Sequence, residues 1–347
     1  MNNNVTIPMV GLTNHGGVRV LVQLANFLDE NGFNVEIMCP SGCNNTKYKI
    51  NSGVRVTEFG PKIKSKYLRW LFFTLASPLK IKSNYIICNF FLTFYIGFLR
   101  KKINKETKIS YLIQDIEYEF VSGYFKFFAK YMCEFTYKYN NAEIVAANVY
   151  LYEKLIVSNE NIKRINIWID ERFKTRNRMN SERTFDVIYF LRDDPRKRLD
   201  RFDSILLKLK SIGASIACIT QSTELKNKYL NRVDHIYMPN NDDELIDIID
   251  LSKTLLLTSS QEGFSLPPLE CMARGVIPVI YKCGGPEIYL KDGVNGFVVN
   301  SESEAMDKLT FLLKDEESYL KFQSECIITS REFSMDKEFE FFKGLIS

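Results

Sequence analysis

The chain has 347 residues, too many for one ordinary α/β domain and enough for two domains of about 150 to 180 residues each. Hydrophobic residues make up 46% and charged residues 25%, with no long low-complexity tract, which excludes a disordered chain and indicates a soluble globular protein. Only two histidines, His15 and His235, are present, so a His-rich metal site is excluded and a Ser–His or Cys–His hydrolase would be difficult to assemble.

Apolar runs of strand length alternate with helical patterns along the chain, which is typical of parallel sheets built from βαβ units. In the first half, strands are predicted at residues 5–10, 33–39, 54–59, 85–89, 108–113 and 143–148. A helix is predicted at residues 18–32, where Gly32 ends it. These elements form one complete doubly wound domain.

In the second half, strands are predicted at residues 185–191, 214–220, 254–260 and 276–281, and helices at residues 193–209, 242–252, 266–275 and 286–293, with further helices from about residue 303. Apolar periodicity lapses over residues 170–184. We therefore predict a Rossmann-like domain at 1–170, a second at 171–330, and a C-terminal helix at 331–347 that packs back on the first domain. Two doubly wound α/β domains that face each other place ligand sites at the carboxyl ends of both sheets, in the cleft between them.

The stretch from residue 258 to 299 carries the strongest chemical signal. A buried strand ends in a loop, and a helix follows with Pro267 and Pro268 near its first turn, where proline is tolerated. Backbone amides at this helix entrance would form an anion site that fits a diphosphate. The residues that supply these amides are Gly263, Phe264, Ser265 and Leu266. Glu262 before the loop and Glu270, expected in the first helical turn, can accept hydrogen bonds from sugar hydroxyls.

A purely structural interpretation of the same residues remains open at this point. Ser265 could cap the helix, Glu270 could compensate its dipole, and Glu262 could be a solvated loop residue.

The same stretch resembles the signature of family 4 glycosyltransferases, which have the GT-B fold. It contains a strand, Ser, Glu-Gly-Phe, Pro-Leu-Glu, Ala-x-Gly-x-Pro-Val, Gly-Gly-x-x-Glu and Asp-Gly-x-Asn-Gly. Glu262 and Glu270 stand at the two ends of the family's E-x7-E motif, and Gly284 and Gly285 match its paired glycines. The resemblance implies that Glu262 binds the donor sugar, that Glu270 binds the nucleotide ribose and that the amides between them hold the diphosphate.

A second match follows the first strand of the second domain. Arg192 and Lys197 have the spacing at which the family places its diphosphate-binding Arg and Lys. Fixed cations would stabilise the charge on a departing nucleoside diphosphate without a metal, and no metal site is expected. The alternative is a solvated charge run, because residues 192–201 hold five basic and three acidic side chains.

A third match is the loop before the helix at 18–32. Gly16 and Gly17 stand where the family has paired glycines before a helix, and they would let the backbone approach donor or acceptor. Where many family members have a His after the strand at 108–113, this chain has Gln114 and Asp115. Asp115 is the candidate for orienting or deprotonating the acceptor, with helix capping as its structural alternative. The segment QDIEYEF resembles rhamnosyltransferases that build bacterial surface polysaccharides, such as capsule or O-antigen.

The charge is unevenly distributed. Residues 1–170 carry 21 basic and 13 acidic side chains, a net +8, and the rest carry 25 and 29, a net −4. Lys62, Lys64, Lys66 and Arg69 stand beside Trp70, a pattern that suits an anionic membrane interface and equally suits a buried helix with solvated lysines.

The eight scattered cysteines and the absence of a signal-peptide pattern lead us to expect a cytoplasmic protein, peripheral at the inner membrane face. The expected activity is retaining, metal-independent transfer of a sugar from a nucleoside-diphosphate sugar to a glycan or lipid-linked acceptor, without cofactor or nucleic acid. A non-catalytic GT-B binding protein, a phosphorylase and a nucleotide-sugar epimerase are the alternatives. The first is disfavoured because Glu262, Glu270, Arg192 and Lys197 are all intact.

Overall fold

The chain folds into two compact units. The structure, a computed structural model, describes residues 3–120, 123, 125–174 and 183–346. One unit comprises Met1–Ile167 with Asp336–Ser347, and the other comprises Trp168–Met335. The chain therefore passes from the first unit to the second before residue 168, whereas the sequence predicts this boundary after residue 170. It returns to the first unit after residue 335, whereas the sequence predicts this boundary after residue 330. Residues 175–182 of the predicted boundary segment lie outside the described part.

A parallel sheet forms the centre of the first unit. Its strands among the described residues are β1 (Asn4–Pro8), β2 (Asn34–Pro40), β3 (Arg55–Phe59), β4 (Tyr85–Cys88), β5 (Lys108–Ile113), β6 (Glu143–Ala146) and β7 (Lys163–Arg164). They pair in the order β3-β2-β1-β4-β5-β6-β7. The central strands are short apolar runs whose side chains are buried on both faces, as parallel sheets require.

Helices connect these strands on both faces of the sheet. They are α1 (Gly16–Glu30), α2 (Lys66–Ala76), α3 (Phe91–Ile103), α4 (Phe125–Tyr137) and α5 (Val149–Leu155). The chain runs through α1 from β1 to β2 in one direction across the sheet, and through α2, α3 and α4 in the other direction. Because such crossovers are right-handed, α1 lies on one face and α2, α3 and α4 lie side by side on the opposite face.

The second unit repeats this architecture. Its described strands are β8 (Phe185–Phe190), β9 (Ile216–Ile219), β10 (His235–Tyr237), β11 (Ser252–Leu257), β12 (Ile277–Tyr281) and β13 (Phe297–Val299), in the parallel order β10-β9-β8-β11-β12-β13. Its described helices are α6 (Leu199–Ser211), α7 (Thr223–Tyr229), α8 (Asp242–Asp250), α9 (Leu266–Ala273), α10 (Glu302–Lys314) and α11 (Glu316–Ser330).

One predicted helix starts later than the sequence indicates. The helix expected from residue 193 is interrupted, because Asp194 accepts a hydrogen bond from the amide of Arg196 and closes a 3₁₀ turn at Pro195–Lys197. Arg198 then adopts φ 50°, and α6 begins at Leu199. The predictions also missed α7.

The last helix, α12 (Met335–Ile346), begins at the final residue of the second unit, and residues 336–347 belong to the first unit. There the side-chain amide of Asn166 donates to the Glu338 carboxylate at 3.4 Å. No helix within the described ranges is long and apolar enough to cross a membrane.

Candidate functional site

The predicted donor residues of the second unit follow two strands that are neighbours at a topological switch point. β8 ends at Phe190, two residues before Arg192, and β11 ends at Leu257, five residues before Glu262. The strand order reverses between β8 and β11, and ligands of doubly wound sheets bind outside the strand ends at such a point. The two loops are joined, because the Ser260 amide donates to the Arg196 carbonyl at 2.7 Å.

An ion pair lies at the centre of this region. Lys197 Nζ lies 2.5 Å from Glu262 Oε1, and the Ser259 hydroxyl donates to the same oxygen at 2.6 Å. The Glu262 backbone is held as well, since its amide donates to the Cys283 carbonyl and its carbonyl accepts from the Gly285 amide. With a side chain only 10% exposed, Glu262 is not the solvated loop residue of the structural interpretation.

Apart from Lys197, the basic side chains of residues 192–201 contact an acidic or aromatic side chain, with the exception of Arg192. Arg196 is bidentate to Asp194, Arg198 pairs with Asp200, and Arg201 lies over the Tyr281 ring at 4.6 Å. Burial alone would raise the pKa of Asp194, but the hydrogen bonds from Arg196 hold it below its usual value. Half-buried Arg192 forms no ion pair or hydrogen bond with any residue that the structure describes. It therefore has its charge available for a ligand.

The loop before α9 has an unusual backbone. Ser265 adopts φ 63°, a left-handed conformation that is uncommon for residues other than glycine, and its hydroxyl makes no capping hydrogen bond. Within the described structure, the amides of Phe264, Ser265 and Leu266 donate to no protein acceptor. The next two helical residues are prolines, which have no N–H to contribute. The available donors of the predicted anion site therefore lie in the loop and at the first helical residue.

Glu270 is placed differently from the prediction. It is the fifth residue of α9, past the first turn, and it is buried. A carboxylate one turn into the helix does not compensate the dipole as a first-turn acid would. The expectation of a first-turn position is therefore wrong.

The paired glycines of the second unit bring two loops into contact. A Cβ atom on Gly285 would lie 2.5 Å from the Gly263 carbonyl and the Phe264 nitrogen, so only glycine fits. Gly284 adopts φ 98°, and the Glu287 carboxylate accepts hydrogen bonds from the Cys283 and Gly284 amides at 2.8 Å each. These glycines shape the loop that holds Glu262.

The remaining predicted site residues belong to the first unit. Gly16 and Gly17 are the first two residues of α1 and do not precede it, and His15 occupies the N-cap position. The Gln114 side-chain amide donates to the Gly17 carbonyl at 3.2 Å, which brings the loop after β5 to the start of α1. Asp115 follows Gln114 and accepts a hydrogen bond from the Ile116 amide at 2.8 Å. The structure thus groups Gly16, Gly17 and Asp115, and separately groups the predicted donor residues of the second unit.

The sequence analysis missed two residues that contact this site, Ser259 and Tyr289. Ser259 is part of the Ser-x-x-Glu spacing that places its hydroxyl on Glu262, a signal that was available. Tyr289 contacts the α9 loop through its hydroxyl, and no local pattern indicates this. Burial raises the pKa of the Cys283 thiol beside Glu262, so it is not a thiolate nucleophile at neutral pH. No cluster of three or more potential metal ligands occurs in the part of the chain that the structure describes.

Comparisons with known proteins identify the fold. Residues 220–327, which include β11 and α9, match the family model described as Glycosyl transferases group 1. No match was found among curated proteins.

Solved structures resemble the chain over nearly its whole length. HepE of Anabaena, solved with UDP and glucose, shares 15% identity, with 98% of each chain covered and a TM-score of 0.74. Sucrose-phosphate synthase of Thermosynechococcus elongatus shares 12% identity, with 99% of this chain and 98% of that chain covered and a TM-score of 0.77. WaaG, a glycosyltransferase of lipopolysaccharide biosynthesis, shares 11%, with 94% and 95% covered and a TM-score of 0.72. The predicted fold class is confirmed: the chain has the GT-B fold, built from two Rossmann-like domains.

Proposed function

We propose that this protein is a retaining glycosyltransferase that uses a nucleoside-diphosphate sugar as donor. The observation that carries the proposal is the arrangement at the switch point of the second unit. Arg192 has its charge available, Lys197 is paired with Glu262, and adjacent loop amides lack acceptors among the described residues. Cations and amides at one strand edge suit a diphosphate, and a neighbouring carboxylate suits sugar hydroxyls. The partial family match and the HepE complex with UDP and glucose support the same class of donor.

Each donor residue has a distinct role in this proposal. Arg192 and the amides of Ser265 and Leu266 bind the diphosphate, and Glu270 binds the nucleotide ribose. Glu262 binds hydroxyls of the transferred sugar. Lys197 exchanges part of its contact with Glu262 for a phosphate oxygen, which places a fixed cation where negative charge develops on the leaving group.

The transfer conserves atoms and charge without a covalent enzyme intermediate. The acceptor oxygen bonds to the anomeric carbon on the face from which the diphosphate departs, and the carbon–oxygen bond to the diphosphate breaks. The acceptor proton passes to a phosphate oxygen of the donor, which leaves as nucleoside diphosphate. Asp115, in the first unit, is the candidate for orienting the acceptor hydroxyl. Because Arg192 and Lys197 supply the positive charge, no metal ion is required.

The test is donor turnover in EDTA. A panel of nucleotide sugars is incubated with the protein, with and without a glycan or lipid-linked acceptor, and release of nucleoside diphosphate is measured. A transferase releases it only with acceptor, an epimerase converts the sugar without acceptor, and a binding protein does neither. Loss of activity in EDTA would overturn the metal-free mechanism.

We further propose that the acceptor is lipid-linked and that the first unit docks on an anionic membrane. α2 turns an apolar face to solvent, with Tyr67 78% exposed and Leu68, Leu71 and Leu75 each more than half exposed. α4 does the same, with Phe127 83% exposed and Phe128 and Tyr131 more than half exposed. The alternative of a buried α2 holds for Phe73 and half-buried Trp70 but not for this outer face.

The position of the two helices supports a common surface. α2 and α4 lie on the same face of the first sheet, with α3 between them, so their outer sides face the same way. Lysines flank both apolar faces, among them Lys62, Lys64 and Lys66 before or at the start of α2 and Lys126 and Lys130 on α4. Aromatic side chains at headgroup level beside basic residues suit an anionic bilayer, to which each lysine contributes about 1 kcal/mol.

Flotation with liposomes of anionic or neutral lipid tests the docking surface. We expect binding to anionic liposomes at low salt and its loss when Lys62, Lys64 and Lys66 are changed to Glu. The matched control changes Lys291, Lys314 and Lys321, three exposed lysines of the second unit, and should bind normally. Failure to bind anionic liposomes at low salt would contradict docking, and a soluble acceptor would replace the lipid-linked one.

A further inference from the structure

Tyr289 lies buried behind the loop that precedes α9. It is 2% exposed, and its ring packs against those of Phe264 and Phe333, with centroids 5.2 and 5.9 Å away. Its hydroxyl donates to the Ser265 carbonyl at 2.6 Å and lies 3.3 Å from the Phe264 carbonyl. A single hydroxyl therefore contacts two successive peptide groups.

These contacts determine where the loop amides point. In a trans peptide the N–H is directed opposite to the C=O. Because the carbonyls of Phe264 and Ser265 face Tyr289, the N–H groups of Ser265 and Leu266 are directed away from it. These are two of the amides that donate to no acceptor in the described part of the chain. They point to the side of the loop away from the aromatic cluster.

The loop needs such support because its backbone is otherwise unfavourable. Ser265 at φ 63° is held in a region that costs free energy for a residue with a side chain. Gly285 packs directly against the Gly263–Phe264 peptide and restrains the neighbouring peptide group. The Tyr289 hydroxyl contacts the carbonyls of the next two peptide groups, so its loss would remove a restraint on their rotation.

We propose that Tyr289 is a positioning residue that presets two amides of the diphosphate site. This inference rests on the proposed function, since it assigns the amides of Ser265 and Leu266 to the diphosphate of the donor. Tyr289 itself does not touch the ligand. It lowers the cost of binding because the amides are already oriented before the diphosphate arrives.

The test compares two tyrosines that make similar contacts. Tyr289→Phe keeps the ring and removes the hydroxyl. Tyr319→Phe is the matched control, because Tyr319 is also buried in the second unit and its hydroxyl also contacts two carbonyls, of Lys253 at 3.2 Å and Gly275 at 3.4 Å. Binding of UDP, GDP, ADP and dTDP is measured by calorimetry, binding of the matching nucleosides by ligand-observed NMR, and the Tm of each variant is recorded.

We expect Tyr289→Phe to weaken nucleoside diphosphate binding about tenfold and to leave nucleoside binding unchanged. The reason is that the Ser265 and Leu266 amides would no longer be oriented for the phosphates, whereas the nucleoside does not use them. Tyr319→Phe should lower the Tm about as much as Tyr289→Phe does, without weakening nucleoside diphosphate binding. If Tyr289→Phe binds the diphosphate as tightly as the unaltered chain, or weakens nucleoside and diphosphate equally, Tyr289 is only part of the core. If the unaltered chain binds no nucleoside diphosphate, the donor site itself is wrong and this role falls with it.

Discussion

Substitutions in the Lys197–Glu262 ion pair should affect the stability of the protein and its activity in different patterns. Its partners lie 2.5 Å apart, with side chains 23% and 10% exposed, so each charge depends on the other for compensation. Glu262→Gln removes the carboxylate that directly contacts Lys197 and weakens the hydrogen bond from Ser259. A hydrogen bond to a charged group contributes about 1.5–3 kcal/mol, so we expect a loss of about 2 kcal/mol in the free energy of unfolding of the second unit.

The matched variant removes both charges. Lys197→Met alone should destabilise by a similar amount, because it leaves Glu262 as an unpaired, largely buried carboxylate. The double variant, Lys197→Met with Glu262→Gln, removes both charges and so leaves no unpaired charge. Its loss in the free energy of unfolding should be smaller than the sum of the two single losses by about 1–2 kcal/mol. Urea unfolding of the four proteins gives these free energies, with the m-value as a check that unfolding remains comparable.

Activity should follow a different pattern. All three variants should lose turnover about 10²- to 10³-fold, since each removes a group that contacts the sugar or the leaving phosphate. The double variant would then be as impaired in turnover as the single variants, although its loss of stability is smaller than the sum of theirs. Additive losses of stability would refute the coupling of the two charges, and recovery of activity in the double variant would refute the assignment of both residues to the donor site.

Three further predictions follow from single contacts. Arg192→Ala should raise the Kd of the nucleoside diphosphate about 10- to 100-fold with an unchanged Tm, because the side chain has no described protein partner but would bind the phosphates; equal binding in calorimetry would contradict this. Gly285→Ala should cost about 1–3 kcal/mol by thermal unfolding, because its Cβ would meet backbone atoms at 2.5 Å, while Gly344→Ala, with nothing within 4 Å, should not. Burial raises the pKa of Glu117 from 4.5 to about 8, so the folded state holds the proton more tightly and stability should fall as pH rises from 5 to 8; Glu117→Gln should remove this slope in urea titrations.

The sequence predicted the alternation of strands and helices well, because the central strands are rich in apolar residues and are bounded by polar loops. Phe185–Phe190 and Ser252–Leu257 lie close to their predicted places. Their adjacency at the switch point follows from doubly wound topology. The late start of α6 could not be predicted, because it depends on the hydrogen bond between Asp194 and Arg196, which helix periodicity does not report.

The candidate donor residues of the second unit were predicted from a motif, but their mutual contacts were not. The sequence treats Lys197 and Glu262 as separate ligands, 65 positions apart. The ion pair arises only because β8 and β11 are neighbours. Tyr289 was missed for a similar reason, since its contact with Ser265 spans 24 positions and follows from the packing of Gly285.

A crystal structure of the protein soaked in EDTA with a nucleoside diphosphate tests the central claim most directly. We predict phosphate oxygens within hydrogen-bonding distance of the Arg192 guanidinium and of the Ser265 and Leu266 amides, and the ribose at Glu270. Lys197 should have moved at least partly from Glu262 toward a phosphate. A nucleotide bound elsewhere, or one held at this site with Arg192 and the loop amides out of reach, would contradict the assignment of the donor site.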